Sequence, residues 1–157
     1  YNMEAEISRE QLLQALVLED DDKARAQSGC YVRNPTYLEM VAKPLAVPLR
    51  HMDYQVSIAG SIAQVRLEQH YENPLDALLE LEYMLPIEPS TCVASFKAIF
   101  DDHEIVGMIK EKQAAKEEYQ KGFQQGRQVA YGEINERSRD IMVLKIGNVA
   151  PKGKVRI

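Results

Sequence analysis

Residues 105–133 read IVGMIKEKQAAKEEYQKGFQQGRQVAYGE and contain both of the patterns that decide the fold. The first five residues are an apolar run that predicts a short buried strand. Good helix formers follow, with Tyr119 and Phe123 at helical spacing, and they predict one amphipathic helix over about 111–125. Gly126 stands where a left-handed C-terminal cap is wanted, so we expect the helix to end there.

Most of the chain around this helix has the alternation of apolar and polar residues that is typical of strands. A hairpin is predicted over 54–71, with its reversal at 59–61. The clearest half-buried strand covers 79–85. Further strand patterns cover 94–100, 105–109, 129–134, 141–146 and 155–157. Many short strands predict a mainly β fold, an antiparallel β-sandwich or barrel-like domain with one inserted amphipathic helix.

The first part of the chain differs from the rest. Ser8 and Gln11 fit a capping box, which predicts a helix over about 8–19. Prolines and glycines punctuate residues 23–49, which we interpret as loops. Regular strand patterning begins after Ala46. We therefore predict an N-terminal extension, residues 1–46, and a β domain, residues 47–157, whose last strand is cut short at the chain end and leaves a sheet edge open.

The predicted N-terminal helix carries a narrow apolar stripe. A helix this short is marginal in water and needs a partner surface. That surface is either its own domain or a groove on another protein, and the sequence leaves both readings open. The candidate partner-binding residues are Leu12, Leu13, Leu16 and Val17.

Composition excludes several classes of protein. The chain has 157 residues, enough for one domain and an appendage, and a hydrophobic content of 45% is sufficient for a core. A net charge of −5 argues against a nucleic-acid binder. No apolar run is long enough to span a bilayer, so we expect no membrane insertion. Because the chain begins without methionine and ends inside a strand pattern, we expect it to be a fragment of a larger protein.

Two cysteines are too few for a disulfide-built scaffold, although a single pairing of Cys30 with Cys92 stays open. Few cysteines and no visible signal sequence favour an intracellular, cytoplasmic location, without excluding secretion.

No catalytic or metal-binding motif occurs at the spacing that such chemistry needs. The three histidines, His51, His70 and His103, are each isolated in sequence from a second histidine or cysteine. Neither a glycine-rich phosphate loop nor a nucleophile elbow is present. We therefore predict no catalytic residue, no metal site and no cofactor.

From Ala46 onward the chain resembles the VIT domain, the module of vault proteins and inter-alpha-trypsin inhibitor heavy chains. The features that carry the resemblance come in order over about 110 residues. They are Val47-Pro48-Leu49, Tyr71-Glu72-Asn73-Pro74, Leu85-Pro86, Phe96-Lys97-Ala98, Asp101 to Gly107, Lys110 to Lys112 with Ala115, Tyr119 and Gly126, and Gly147 to Gly153. Gly122 departs from the family, which usually has alanine there, and should weaken the helix by about 1 kcal/mol.

The resemblance implies a β-rich module that usually precedes a von Willebrand A domain. Such neighbours carry a metal-dependent Asp-x-Ser-x-Ser motif, which this chain lacks, so no metal site is carried over. The module itself has no well-established catalytic role. The resemblance therefore predicts a non-catalytic protein-interaction and scaffolding module of a larger protein, with a following von Willebrand A domain among its partners. The alternative is an accessory or regulatory domain of an enzyme such as a vault-type poly(ADP-ribose) polymerase.

Overall fold

A computed structural model of the chain describes residues 7–20, 28–106, 112–134 and 141–157, with the backbone alone described for 112–116 and 131–134. The helices are α1 (Arg9–Ala15), α2 (Pro35–Val41) and α3 (Lys112–Gln124). The strands are β1 (Val17–Leu18), β2 (Gly29–Val32), β3 (Leu45–Val47), β4 (Leu49–Ala59), β5 (Ile62–Glu72), β6 (Leu79–Pro86), β7 (Lys97–Phe100), β8 (Glu104–Val106), β9 (Val129–Ile134), β10 (Ile141–Val149) and β11 (Lys154–Arg156).

The strands form two antiparallel sheets packed in a sandwich. One sheet has the order β1-β3-β2-β6-β10-β9 and the other the order β4-β5-β11-β7-β8. The predicted mainly β fold is therefore confirmed, and of the two architectures expected it is the sandwich, because the sheets do not close into a barrel. Strand β11 is paired on both sides, with β5 and β7, so it does not leave an open edge.

The core lies between the two sheets and follows the predicted alternation. On β6, Leu79, Leu81 and Tyr83 are buried whereas the residues between them are half-exposed. Strand β10 contributes Leu144 and Ile146 from the same sheet. From the five-stranded sheet, the core receives Tyr71, Ala98, Phe100 and Val155. The alternation of apolar and polar residues predicts this core, because every second side chain of each strand faces the opposite sheet.

Helix α3, the one inserted amphipathic helix that the sequence predicted, covers the outer face of the six-stranded sheet. Gly147 of β10 lies on that face, and a Cβ added to it would lie 2.6 Å from Phe123 Cδ2 and 3.1 Å from Tyr119 Oη. Gly122 makes a similar close approach, since its Cβ would lie 2.5 Å from Val129 Cγ1. The glycine that weakens the helix on its own thus allows the helix to lie close to β9.

The end of α3 is the predicted left-handed cap. Gly126 has a φ of 69°, and its N–H donates to the carbonyl of Phe123 at 2.9 Å. The N–H of Arg127 donates to the carbonyl of Gly122 at 3.1 Å, which completes a Schellman motif. Asn148 of β10 also donates through Nδ2 to the carbonyls of Phe123 and Arg127. These bonds attach the helix end to the sheet.

The N-terminal region contains more regular structure than its sequence indicates. Helix α1 has the predicted capping box, but it ends at Ala15, because Leu16 is extended and β1 then pairs with β3. The stretch interpreted as loops contains β2, α2 and β3. Proline at the first position of α2 starts a helix where we expected a turn. Strand β2 exists because β3 and β6 flank it, which no local pattern indicates.

Two predicted strands differ in extent from the structure. Strand β7 begins at Lys97, later than the predicted start at residue 94. The strand predicted over 105–109 corresponds to β8 up to Val106, and residues 107–109 lie outside the described part. The prediction that it is buried is wrong for its described residues: Ile105 is half-buried and Val106 is exposed, because β8 is the last strand of its sheet. The cysteine pairing left open by the sequence does not form. Cys30 is a buried thiol whose pKa is raised by desolvation, and Cys92 is an exposed thiol.

Candidate interaction surface

The β4–β5 hairpin extends beyond the sandwich. Its strands pair in continuous register from His51↔His70 to Ala59↔Ile62, and Gly60, with a φ of 60°, forms the reversal. Only the base of β5 has a second neighbour, because β11 pairs with His70 to Glu72. The part beyond that pairing is a two-stranded ribbon roughly 25 Å long at the usual rise per residue.

One face of this ribbon is apolar, and we call it the apolar hairpin face. Cross-strand partners on it are Tyr54↔Leu67, Val56↔Val65 and Ile58↔Ala63, with Met52 at its base. Ile58 is 73% exposed and Tyr54 is 60% exposed. Side chains of this size and polarity are ordinarily buried. The opposite face is mostly polar; its cross-strand pairs are His51↔His70, Asp53↔Glu68, Gln55↔Arg66 and Ser57↔Gln64, with Ala59↔Ile62 beside the turn.

The apolar hairpin face continues the core-facing side of the five-stranded sheet. Along β5 the side chains of one face run from Val65 through Leu67 and Gln69 to Tyr71, and Tyr71 is buried in the core. The change from buried to exposed side chains along this face occurs at Gln69. This residue is only 3% exposed, and its side chain bonds to Ser28, Tyr71 and the sulfur of Met52. Beyond Gln69, no described residue of the six-stranded sheet covers this side of the ribbon.

A two-stranded ribbon of this kind is poorly stable on its own in water. Contiguous exposed apolar side chains rimmed by polar ones mark an interaction surface. The hairpin has the shape of one half of a sandwich whose second layer is missing, so an apolar surface laid on it would extend the existing core. The described residues therefore present a contiguous exposed apolar surface that prolongs the core-facing side of the five-stranded sheet.

The four residues predicted from the N-terminal stripe do not form one exposed surface. Leu12 is fully buried, and Leu16 is buried in the same core cluster. Leu13 is half-buried against that cluster, and Val17 is exposed in β1. The structure thus places the stripe largely on its own domain, which was one of the two readings; binding of a partner by these residues stays a prediction.

Replacing Leu16 with alanine tests the two readings of the stripe. We expect the free energy of unfolding to fall by about 2 kcal/mol, because a buried side chain is lost from the core. Leu13→Ala is the matched control one helical turn earlier and should cost about half as much, since that side chain is only half-buried. Urea unfolding of the purified variants measures both, and a Leu16→Ala variant as stable as the parent would contradict burial of the stripe.

The hairpin is predicted from the sequence, but the exposure of its apolar face is not. Alternation with a period of two is the same whether the apolar side faces a core or water, so the pattern does not distinguish the two. The sequence offers one signal, which is length: the apolar alternation continues to the turn on both strands. The structure shows that this is farther than the neighbouring sheet extends.

The fold and this surface define a two-sheet antiparallel β module. The chain belongs to the Vault protein inter-alpha-trypsin domain family, which it matches over residues 49–157, so the resemblance seen in the sequence is confirmed. The match begins close to the predicted boundary near Ala46, but β2 and β3 lie in the same sheet as β6, and that boundary stays a prediction.

Several curated proteins are similar to this chain. Von Willebrand factor A domain-containing protein 5A of mouse is 32% identical over 71% of the chain and 14% of its own length. Human protein mono-ADP-ribosyltransferase PARP4 is 32% identical over 71% of the chain and 6% of its own length. A von Willebrand factor A domain-containing protein of Dictyostelium discoideum is 25% identical over 92% of the chain and 18% of its own length.

The chain therefore spans less than a fifth of the length of each of these relatives. No solved structure matches it significantly. In the part of the chain that the structure describes, no helix has both the length and the apolar character needed to cross a membrane.

Proposed function

We propose that this chain is a non-catalytic docking and scaffolding module of a larger protein, and that its apolar hairpin face packs against a von Willebrand A domain of the same polypeptide. The observation that carries the proposal is the uncovered apolar ribbon that prolongs the core side of the five-stranded sheet. The choice of occupant is supported by the two reported relatives that are named for that domain, both of which are several times longer than the matched region.

The energetics favour such contact. Five large apolar side chains of the apolar hairpin face are each about half or more exposed: Met52, Tyr54, Val56, Ile58 and Val65. Covering apolar surface contributes about 25 cal/mol per Å². A neighbouring domain in the same polypeptide is present at a high effective concentration, so a modest surface is enough to keep it docked.

Hydrogen exchange on the full-length protein tests this proposal. Backbone amides of residues 52–67 should exchange at least about 10-fold more slowly in the full-length protein than in the 157-residue chain, because docking suppresses local opening of the ribbon. Ile58→Glu should abolish the difference, since a carboxylate would be buried without a partner in the interface.

Ser57→Glu is the matched control, one residue away and on the polar face. It should preserve the slow exchange. In the 157-residue chain both variants should unfold within about 0.5 kcal/mol of the parent, because both positions are exposed. Equal exchange in the full-length protein and the chain would overturn the proposal. So would protection that appears only at high protein concentration, since it would assign the face to a second copy of the chain.

A second candidate function has its own support. The chain is as similar to human PARP4 as it is to von Willebrand factor A domain-containing protein 5A of mouse, at 32% identity in both cases. This similarity supports the alternative that the chain is an accessory module of a larger enzyme. Here too the module itself would be non-catalytic. The Ile58→Glu variant distinguishes the two, because an accessory role predicts altered transferase activity of the full-length enzyme and the first proposal predicts only loss of domain docking.

We further propose an intracellular location, which the two free thiols, Cys30 and Cys92, support. Fractionation of cells that express the full-length protein tests it, and recovery of the protein from the medium would contradict it.

A further inference from the structure

We propose that the polar face at the base of the β4–β5 hairpin is a binding site for a divalent transition-metal ion of the zinc type. The proposed ligands are His51 and Asp53 on β4 and Glu68 and His70 on β5. This proposal is independent of the docking proposal, since it concerns the opposite face of the ribbon.

The register of the hairpin places the four side chains together. His51 lies directly opposite His70, and Asp53 lies directly opposite Glu68. Residues two apart on a strand point to the same face, so all four share one face. One potential ligand atom from each of Asp53, Glu68 and His70 lies within 4.8 Å of the other two.

His51 completes the group of four. Its Nε2 lies 3.0 Å from Asp53 Oδ2, and its ring centroid lies 5.1 Å from that of His70. On the other strand, His70 Nε2 lies 2.8 Å from Glu68 Oε1. Two histidine–carboxylate pairs thus stand side by side across the ribbon.

A β-bulge creates this arrangement. The ladder starts at Leu49↔Tyr71 and shifts register before His51↔His70. In a regular ladder continuing from that first pair, Arg50 would lie opposite His70, and a cationic side chain would stand where the second histidine now is. Bulges commonly re-aim side chains at functional sites. Here the extra residue converts a histidine–arginine pair into a histidine–histidine pair.

The donor set suits a zinc-type ion. Imidazole nitrogen and carboxylate oxygen bind Zn²⁺ at about 2.0–2.2 Å, usually with four ligands in tetrahedral arrangement. Ligand atoms in such a site are roughly 3.3 Å apart, as follows from those bond lengths. The present separations therefore require shifts of about 1 Å, which the exposed side chains of β4 can supply by changing rotamer. Two carboxylates and two neutral imidazoles give the site a charge of −2, which would balance the charge of a bound dication.

One half of the site is held in place by the sandwich. Gln69, between Glu68 and His70, is buried, and its backbone exchanges both hydrogen bonds with Ile157. Glu68 also lies 3.5 Å from the guanidinium of Arg156, with which the metal would compete. The exposed half, His51 and Asp53, is free to close on the ion. Metal binding would therefore join β4 to β5 at the base of the ribbon.

Zinc titration of the full 157-residue chain tests the site. We expect one Zn²⁺ per chain by calorimetry with a micromolar or lower Kd, and visible absorption typical of tetrahedral cobalt when Co²⁺ replaces zinc. His70→Gln and His51→Gln should each weaken zinc binding by about 10-fold or more, because each removes a ligand. Circular dichroism of the metal-free variants is the check that they remain folded.

His103→Gln is the matched control. His103 also pairs with a carboxylate, Asp102, at 2.6 Å, but no second pair lies opposite it among the described residues. This variant should bind zinc as the parent does. Absence of micromolar zinc binding would overturn the proposal. Equal weakening by His103→Gln, or a zinc affinity unchanged by His51→Gln and His70→Gln, would overturn it as well.

Discussion

Replacing Asn73 with alanine is expected to lower the free energy of unfolding of the chain by about 4 kcal/mol. Asn73 is only 1% exposed, and its amide lies where the end of β5 meets the end of β10. Nδ2 donates to the carbonyls of Ala77, Val149 and Ala150 at 2.8, 3.2 and 2.9 Å.

The same side chain also accepts a bond. Oδ1 of Asn73 receives the N–H of Leu75 at 3.0 Å, and the backbone N–H of Asn73 donates to the carbonyl of Gly153. One buried amide thereby joins a strand of the five-stranded sheet to a strand of the six-stranded sheet. Alanine would leave several buried backbone groups without partners, and each such group costs about 1–3 kcal/mol.

The variant Asn73→Asp tests the bonds that the side chain donates separately from the bond that it accepts. It keeps the shape of the side chain and the bond from Leu75, but an ionised carboxylate faces three carbonyl oxygens instead of donating to them. We expect it to be at least as destabilising as alanine at neutral pH. Urea unfolding monitored by circular dichroism measures both variants, and a loss below about 1 kcal/mol in Asn73→Ala would show that the amide does not join the sheets.

Replacing Gly147 with valine is expected to cost about 3 kcal/mol, because the added atoms would occupy the space that α3 uses. A Cβ at this position already lies 2.6 Å from Phe123 and 3.1 Å from Val129 Cγ2. The two rings of the helix, Tyr119 and Phe123, are stacked with centroids 6.2 Å apart, so one cannot move away without displacing the other. The helix must therefore shift off the sheet.

The tyrosine provides a local signal for this displacement. Burial, together with the charges of Glu80 and Glu82, raises the pKa of Tyr119 to about 12. If valine at position 147 moves the helix away, the pKa should fall towards its ordinary value near 10. Ultraviolet titration of tyrosinate measures the shift against the parent.

Gly29→Ala is the control for a strand glycine with room beside it. Its Cβ would meet the ring of Tyr31 at an ordinary contact distance of 3.5 Å, so the free energy of unfolding should change by less than about 0.5 kcal/mol. Gly147→Ala should lie between the control and Gly147→Val. Equal stability of Gly29→Ala and Gly147→Ala would contradict the close packing of α3 on β10.

The sequence by itself determined the elements whose signals are local. The alternation in β6 specified which side chains face the core, because a strand buries every second residue. The stripe of α3 and its capping glycine specified one helix, its face and its end, since helix periodicity and a positive φ are properties of a few neighbouring residues. The mainly β fold and its family follow from such signals taken in order.

Tertiary structure alone decided what depends on neighbours distant in the chain. Strands β2 and β3 form because β2 pairs with β6 and β3 then pairs with β2, although their sequences read as loops. The apolar hairpin face has the same alternation as β6, yet it is exposed because the opposite sheet does not reach it. His51 and His70 meet only because a one-residue bulge sets their register. Periodicity predicts which side of a strand or helix is apolar. The packing of elements distant in the chain determines whether that side is buried and which side chains meet there.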